Sequence, residues 1–293
     1  MIAKAKKLAN VVYSVIEKSV NRVLIGKTFW KVLALPSILF CTNIIGLNAS
    51  EIEKLQVIEN GVYRKILGAP SYAPNCTLRG EIGSSTMKAR VAKGMIKYVK
   101  SVVFRDNRVL HDILRRNLEK KLGWCKNVEK AVCGVGLDVG EIMRRDENDL
   151  VEVIKKWDDD LWNEEKKSKK SIELYAKYRE KIGSGDDYDN TEASVILYRM
   201  RTNTLKLNDR QRFVQGSTAC ELCEAPLEDL MHVILDCYRL AEPRQRVTLL
   251  QRPNPEDREA LLGCVLFGRN SESRRESLAA IYRLRKKLIE RRT

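Results

Sequence analysis

The chain has 293 residues, of which 44% are hydrophobic, 32% are charged and 6% are aromatic, and its formal net charge is +15. Many charged and few aromatic residues argue against a barrel or sandwich rich in Val, Thr and Tyr, and favour an all-α, mainly helical fold. The positive charge indicates a polyanionic partner, with nucleic acid ahead of an anionic membrane.

The charge is unevenly distributed along the chain. Residues 1–135 contain 24 Lys and Arg against 9 Asp and Glu, whereas residues 136–195 contain 11 against 17. Residues 196–293 are basic again, with 19 against 13. Two basic segments therefore flank an acidic one, and whether the acidic segment masks the basic ones stays open.

The first helical pattern covers residues 1–25 and has an apolar side formed by Leu8, Val11, Val12, Val15 and Val20. It lacks the continuous apolar core of a secretory signal, so we predict an intracellular protein, in the nucleus or cytoplasm. Residues 32–50 follow without a single charge and are nearly long enough to span a bilayer. Pro36 and several polar residues within them favour a buried helical hairpin, so we predict no membrane partner.

The clearest helix follows the capping box formed by Ser50 and Glu53, and Gly68 supplies a left-handed stop. Residues 69–83 contain two prolines and two glycines and predict a loop. The next helix, at residues 85–105, has an apolar stripe of Met87, Val91, Met95, Val99 and Val102. Its basic residues include Lys88, Arg90, Lys93, Lys97 and Lys100, with no acid before Asp106.

Four of these cations, Arg90, Lys93, Lys97 and Lys100, share one side of the predicted helix. Their spacing places four positive charges along about 15 Å of helix, which suits a phosphate backbone. The alternative is an ordinary solvated helix face. Both interpretations stay open at this point.

Further helices are predicted at residues 108–121, 141–155, 157–181, 192–206 and, after a second capping box at Ser273, up to about residue 292. Residues 182–190 have the composition of a flexible loop. The tail RLRKKLIERR suits phosphate binding, a nuclear address or a solubilised helix end, and these alternatives stay open. The acidic runs at 158–160 and 185–187 lack the rigid scaffold that two-metal catalysis needs, so we predict no catalytic residues.

The segment from Cys220 to Cys237 has the spacing C-x2-C-x8-H-x4-C, with Cys223 and His232 between its ends. Zinc prefers four tetrahedral thiolate and imidazole ligands, and a structural site has no position open to water. We therefore predict one structural zinc in a small zinc-knuckle-like module, against the alternative of a chance cluster of buried cysteines. Because residues five apart diverge on an α-helix, we expect the helix carrying His232 to loosen, and Pro226 to stand in its first turn.

Several motifs occur in a fixed order: WKVLALPSILF at 30–40, LQVIENGVYRKILG at 55–68, LRGEIG at 78–83, Trp124-Cys125, YRMR at 198–201, and CELC followed by Glu228, His232 and Cys237. Together they resemble the region after the palm in LINE-type, or non-LTR, retrotransposon reverse transcriptases, over nearly the whole chain. The gap before the histidine is longer than in retroviral nucleocapsid knuckles, so the base-stacking mode of those knuckles is not implied.

This resemblance implies a thumb-like helical domain at 1–105, a helical connector at 106–205, a CCHC zinc-binding module at 206–242 and a basic helical tail at 243–293. The [FY]-x-D-D catalytic motif of such polymerases does not occur in the sequence, so we expect no polymerase activity from this chain alone. The implied partners are RNA or DNA, bound through the phosphate backbone, and the upstream polymerase portion of the element.

The predicted backbone contacts are Lys88, Arg90, Lys93, Lys97, Lys100, Arg199, Arg201, Arg210 and Arg212. Such contacts position a strand without reading its bases, so the preference between RNA and DNA stays open. The alternative function is a zinc-stapled protein-interaction module that does not bind nucleic acid.

Overall fold

The computed structural model describes residues 1–103, 108–120, 122–183, 187–209, 217–247, 257–268 and 272–291. The regular elements in these ranges are all helical and include no strand, which confirms the all-α prediction. A Cys/His cluster near the carboxyl-terminal end forms the expected knuckle-like module. Within the same ranges, no helix is long and apolar enough to cross a membrane.

The helices of the first part of the chain are α1 (Ile2–Glu17), α2 (Arg22–Thr28), α3 (Leu35–Leu39), α4 (Thr42–Ile45), α5 (Ala49–Leu67), α6 (Asn75–Ile82) and α7 (Met87–Val103). The middle contains α8 (Arg108–Glu119), α9 (Trp124–Cys133), α10 (Val139–Arg144), α11 (Glu147–Lys167), α12 (Glu173–Tyr178) and α13 (Glu192–Arg201). The last part contains α14 (Ala241–Arg244), α15 (Arg258–Phe267) and α16 (Glu272–Glu290). Two π-helical segments, Phe29–Ala34 and His232–Asp236, interrupt this regular pattern.

The single helix predicted at residues 1–25 is two helices. Asn21 adopts an extended conformation and its side chain accepts a hydrogen bond from the Leu24 amide at 3.0 Å, which caps α2 and separates it from α1. The predicted apolar side is also partly wrong, because Val20 is 92% exposed. The buried side of α1 consists of Ala5, Ala9, Val12 and Ile16, and α1 packs against α5.

The uncharged residues 32–50 are only half buried, so the prediction that they form core is partly wrong. Ala34, Leu35 and Ile38 are buried. In contrast, five large apolar side chains of the same stretch are exposed to solvent: Val32, Leu33, Phe40, Ile44 and Ile45. This stretch therefore contributes one side to the core and presents the other as an apolar surface.

The ends of α5 follow local capping chemistry. The capping box is formed by Asn48 and Glu51, two residues before the predicted pair, and each side chain accepts from the other residue's backbone amide. Gly68 has a φ of 64°, which confirms the left-handed stop. Ser273 does not cap α16 as predicted, because Glu272 before it is already helical.

Helix α6 lies where the sequence predicted a loop. Pro74 precedes its first residue and Gly83, with a φ of 71°, ends it. Proline at the start and glycine just past the end are also helix-boundary signals, so the same residues that suggested a loop bracket a short helix. Gly80 lies inside α6, where a side chain would not fit, because a Cβ at this position would stand 2.2 Å from the Tyr175 hydroxyl.

Helices α5 and α7 are central to the packing. Helix α5 contacts α1, α2, α6 and α7, and α7 contacts α4, α9 and α11. The predicted apolar stripe of α7 is confirmed, since all five of its residues are buried. The helices predicted at 141–155 and 157–181 are divided differently. Helix α10 ends at Arg144, α11 runs through residue 156 to Lys167, and α12 follows from Glu173 to Tyr178. One cluster of buried apolar residues runs from Ala5 to Ile281, and the division into four domains stays a prediction.

A buried carboxylate joins α5 to its neighbours. Glu59 is fully buried and accepts from Trp30 Nε1 at 2.9 Å, from the Tyr63 hydroxyl at 2.6 Å and from Arg90 Nη1 at 2.6 Å. Burial, followed by the neighbouring carboxylate, raises the pKa of the Tyr63 hydroxyl well above its usual range, so this hydroxyl stays protonated and donates. The donors satisfy a charge that would otherwise be costly to bury.

Candidate metal centre and predicted nucleic-acid contacts

A tight turn brings the first two cysteines of the module together. The Cys220 amide donates to the Ala225 carbonyl at 2.8 Å, and the Glu224 amide donates to the Cys220 carbonyl at 2.8 Å. Glu224 closes the turn with a φ of 64°, in the left-handed region that favours glycine. This turn allows Cys220 and Cys223 to approach one point from the same bend.

The second half of the site is helical and widened. The Asp229 side chain accepts from the His232 amide at 2.7 Å and caps the turn. The Cys237 amide donates to the His232 carbonyl at 2.8 Å, which is the five-residue bond of a π-helix. This bond places Cys237 about one turn beyond His232, as the predicted loosening required. Pro226 lies before the helix and not in its first turn, which corrects that detail of the prediction.

The four side chains Cys220, Cys223, His232 and Cys237 offer ligand atoms that all lie within 4.8 Å of one another. Cys223 Sγ and His232 Nε2 are 3.3 Å apart. In an ideal tetrahedral site with bonds of about 2.3 Å, sulfur atoms stand about 3.8 Å apart. The observed cluster is close to that size, so these residues can hold one metal ion.

Two thiols of the cluster have raised pKa values, which a bound cation would lower. Burial raises the pKa of the Cys220 thiol to about 12, and it raises the pKa of the Cys237 thiol as well. Because a metal ligand must be a thiolate, binding of a metal would release protons from this cluster. A bound cation would supply the positive charge that stabilises the thiolates.

Arg244 lies next to the cluster, and the cysteine spacing did not predict it. Arg244 Nε donates to the Ile234 carbonyl at 2.8 Å, and its Nη2 donates to the Cys237 carbonyl at 2.9 Å. The guanidinium thereby satisfies carbonyls at the end of the π-helical segment and places a positive charge beside the thiols. Its own pKa is lowered, mainly by desolvation.

The module is attached to α16 by a buried ion pair. Glu228 is fully buried, and both of its carboxylate oxygens accept from Arg285, one of them from Nε at 2.9 Å. The Asn208 amide also donates to this carboxylate, at 3.1 Å. In the same tail, Arg283 pairs with Glu192 and Glu276 at the surface. Two arginines of the tail therefore have structural partners.

The predicted basic residues of α7 do not share one exposed face. Lys88, Lys93 and Lys97 are exposed. Lys88 Nζ lies 5.0 Å from the centre of the Trp157 ring, and Lys97 Nζ lies 3.2 Å from a Glu147 carboxylate oxygen. Since both members of the latter pair are largely exposed, it is weak and open to exchange.

Two members of the predicted face point inward, which corrects the expectation that four cations line one solvated side. Arg90 is bound to the buried Glu59 and also donates to the Ser84 hydroxyl. Lys100 is 2% exposed and donates to the Arg145 carbonyl. The physical reason is that α7 packs against helices on several sides, so its solvent-facing arc is narrower than its sequence pattern suggests.

The arginines before the module are also structural where the structure describes them. Arg201 is 1% exposed and binds the Asp187 carboxylate at 2.7 Å and the Leu266 carbonyl at 2.8 Å. Arg199 is half-buried and donates to the Gly68 carbonyl at 3.3 Å. The prediction that Arg201 contacts a phosphate backbone is therefore wrong, because its side chain is not accessible to a ligand. Arg210 and Arg212 lie outside the described residues.

The acidic runs are partly occupied by ion pairs. Asp158 is buried, pairs with Arg79 at 3.0 Å and accepts from the Thr86 hydroxyl at 2.6 Å. Asp187 pairs with Arg201, and residue 186 lies outside the described part of the chain. Asp158 therefore joins α11 to α6, and Asp187 joins the segment before α13 to Arg201 on that helix.

Two of the three exposed lysines of α7 border a cleft of about 900 Å³. Its walls are α3 and α4 on one side and α7 on the other. Lys93 and Lys97 lie on the α7 side, while Phe40 and Ile44 lie on the opposite side. Among the described residues that line this cleft, none is acidic.

Comparison with known proteins adds no family to these observations, because no family model, curated protein or solved structure matches the chain. The chemistry of the metal centre and of the cleft therefore has to be argued from their own residues.

Proposed function

We propose that the protein binds nucleic acid through the phosphate backbone and contains one structural zinc ion. The observation that supports binding is the acid-free cleft in which Lys93 and Lys97 stand on one wall. Lys97 pairs with Glu147 outside the cleft lining, but this pair is exposed and therefore weak, so a polyanion can displace the carboxylate. A concave surface concentrates the field of the two lysines. The contacts are to phosphates and do not by themselves select a sequence.

Zinc is the ion we assign to the Cys/His cluster. Three thiolates and one imidazole are a common structural zinc set, and four protein ligands leave no position for a reacting water. Such a site carries one net negative charge, which the neighbouring Arg244 guanidinium would balance. The zinc would cross-link the turn at Cys220 to the π-helical segment and so stabilise the module.

We further propose that the chain is a carboxyl-terminal part of a non-LTR retrotransposon reverse transcriptase, without polymerase activity of its own. This origin rests on the sequence resemblance. The buried contacts of Trp30, Glu59 and Tyr63 give the motif residues at 30–40 and 55–68 a structural role. On this proposal the upstream polymerase portion is a partner and the protein acts inside the cell.

The zinc assignment is tested by native mass spectrometry and metal analysis of the purified protein. We expect one zinc per chain, lost in both Cys220→Ser and His232→Ala. Cys264→Ser is the matched control, because Cys264 is exposed and outside the cluster. A wild-type protein that weighs no more than the polypeptide, after handling without chelators or oxidants, would refute the assignment.

Nucleic-acid binding is tested by its dependence on salt. Each lost phosphate contact should flatten the slope of log affinity against log salt by about 0.7 to 0.9. We therefore expect Lys93→Ala combined with Lys97→Ala to weaken binding and flatten the slope, whereas Lys54→Ala, an exposed lysine on α5, changes neither. No measurable affinity for RNA or DNA at low salt would remove this proposal.

The protein-interaction alternative has one supporting observation of its own. Val32, Leu33 and Ile45 are large apolar side chains exposed on neighbouring segments. Exposed apolar patches often mark protein interfaces. Tight binding to a protein partner, in the absence of any affinity for RNA or DNA, would select this alternative.

A further inference from the structure

We infer that the cleft between α3–α4 and α7 binds a single strand, with bases against Phe40 and Ile44 and phosphates on Lys93 and Lys97. This inference rests on the proposed nucleic-acid binding and adds the form of the strand and the apolar wall that selects it. It differs from a purely electrostatic grip, because one wall of the cleft presents exposed apolar side chains.

The apolar wall is unusually open to solvent. Phe40 is 77% exposed and Ile44 is 51% exposed. Leu35, Pro36 and Leu39 continue the wall toward the base of the cleft. Large apolar side chains that remain exposed at the mouth of a concave surface are available to a ligand with flat apolar faces.

The backbone holds this wall in a defined position. Phe40 ends α3, and Cys41 after it has a φ of 61°, in the left-handed region that a side chain rarely adopts. The Thr42 hydroxyl donates to the Leu39 carbonyl at 2.7 Å and closes the connection to α4. The exposed Phe40 side chain therefore lies on a connection whose backbone is held by a local hydrogen bond.

Gly94 lies where α4 meets α7, between the two lysines. A Cβ at Gly94 would stand 2.2 Å from the Asn43 Oδ1, so a larger residue there would force the Asn43 side chain to move. Lys93 precedes this glycine and Lys97 follows it by three residues. The two lysines are separated by about 6 Å along the helix axis and flank the contact point.

This combination favours a single strand over a duplex. In a duplex the base faces are stacked inside, so an apolar wall gains little from contact. A single strand presents base faces that stack on an aromatic ring, while its phosphates reach cations at the rim. A protein ligand would also use the apolar wall, but the two lysines and the absence of acidic residues among the described lining residues favour a polyanion. Its phosphates would displace Glu147 from the weak, exposed pair with Lys97.

The test measures fluorescence anisotropy of the full chain with unstructured oligouridine, oligothymidine and a duplex of equal charge. We expect Phe40→Ala to weaken binding of both single strands by about fivefold or more and to leave duplex binding unchanged. Val57→Ala, an exposed apolar residue of α5 outside the cleft, should change neither. Phe40 is solvent-exposed, so unfolding curves of the variant should match those of wild type.

The outcomes separate this inference from the proposed function. If Lys93→Ala with Lys97→Ala weakens binding but Phe40→Ala does not, or weakens duplex binding equally, the inference is overturned and nucleic-acid binding stands. If wild-type protein binds no nucleic acid, both are overturned. A protein partner that is lost in Phe40→Ala, while single-strand affinity stays at the wild-type value, would assign the wall to protein docking.

Discussion

Arg285→Met should destabilise the protein although it lies in a segment that looks like a basic tail. The substitution keeps an apolar stem and removes the guanidinium that fills both oxygens of the buried Glu228 carboxylate. Among the described residues, the Asn208 backbone amide then remains as the donor to that charge. Removing one partner of a buried ion pair costs about 3–5 kcal/mol, so we expect a loss in that range.

Arg283→Met is the matched control two residues earlier on the same helix. Arg283 pairs with Glu192 and Glu276, but its side chain is 39% exposed. Surface ion pairs contribute at most about 1 kcal/mol, so the expected change is small. Free energies of unfolding are obtained by denaturant titration of the full chain. Equal losses in the two variants would refute the reasoning.

A double variant separates the charge from the packing at this position. Replacing Glu228 and Arg285 together by leucine removes both buried charges, and apolar replacement of such a pair is often neutral. We expect the double variant to be more stable than Arg285→Met alone, because it leaves no unpaired charge in the interior. A double variant that is less stable would show that the two bonds themselves carry the stability.

Glu59→Gln should cost about 3 kcal/mol in denaturant unfolding, because a buried guanidinium loses its counter-charge. Gly80→Ala should lower the free energy of unfolding by about 1–3 kcal/mol, because the added Cβ clashes with Tyr175. Gly61→Ala is the control and should raise the free energy of unfolding by up to about 1 kcal/mol, because its Cβ would meet a hydroxyl at 3.3 Å. Zinc removal by a chelator should lower hydrogen-exchange protection of residues 217–247 more than that of α5, and uniform loss would contradict a local staple.

Local signals in the sequence predicted the Cys/His cluster well. The spacing of Cys220, Cys223, His232 and Cys237 was sufficient because ligands on one turn and one helix end need little tertiary information. The apolar stripe of α7 could be predicted equally well, since the helical period determines which residues share a side. The identity of the ion and the nucleic-acid contacts stay predictions.

Partners elsewhere in the chain account for the misplaced arginines. Arg90 looks like a surface cation in the sequence, but its partner Glu59 lies 31 residues away. Arg201 binds Asp187, 14 residues away, and Glu81, 120 residues away. Local periodicity carries no information about such partners. The missed helix α6 has a different cause, because proline and glycine mark both loops and helix ends, and only packing distinguishes the two.

The ion pair between Glu59 and Arg90 also fixes the register of two central helices. Sliding α7 along α5 by one turn, about 5.4 Å, would preserve many apolar contacts, because leucine, valine and methionine tolerate exchange of neighbours. The same shift would separate the Glu59 carboxylate from the Arg90 guanidinium and leave both without their partner inside the protein. The ion pair therefore favours one alignment of α7 against α5 over alignments shifted by a turn.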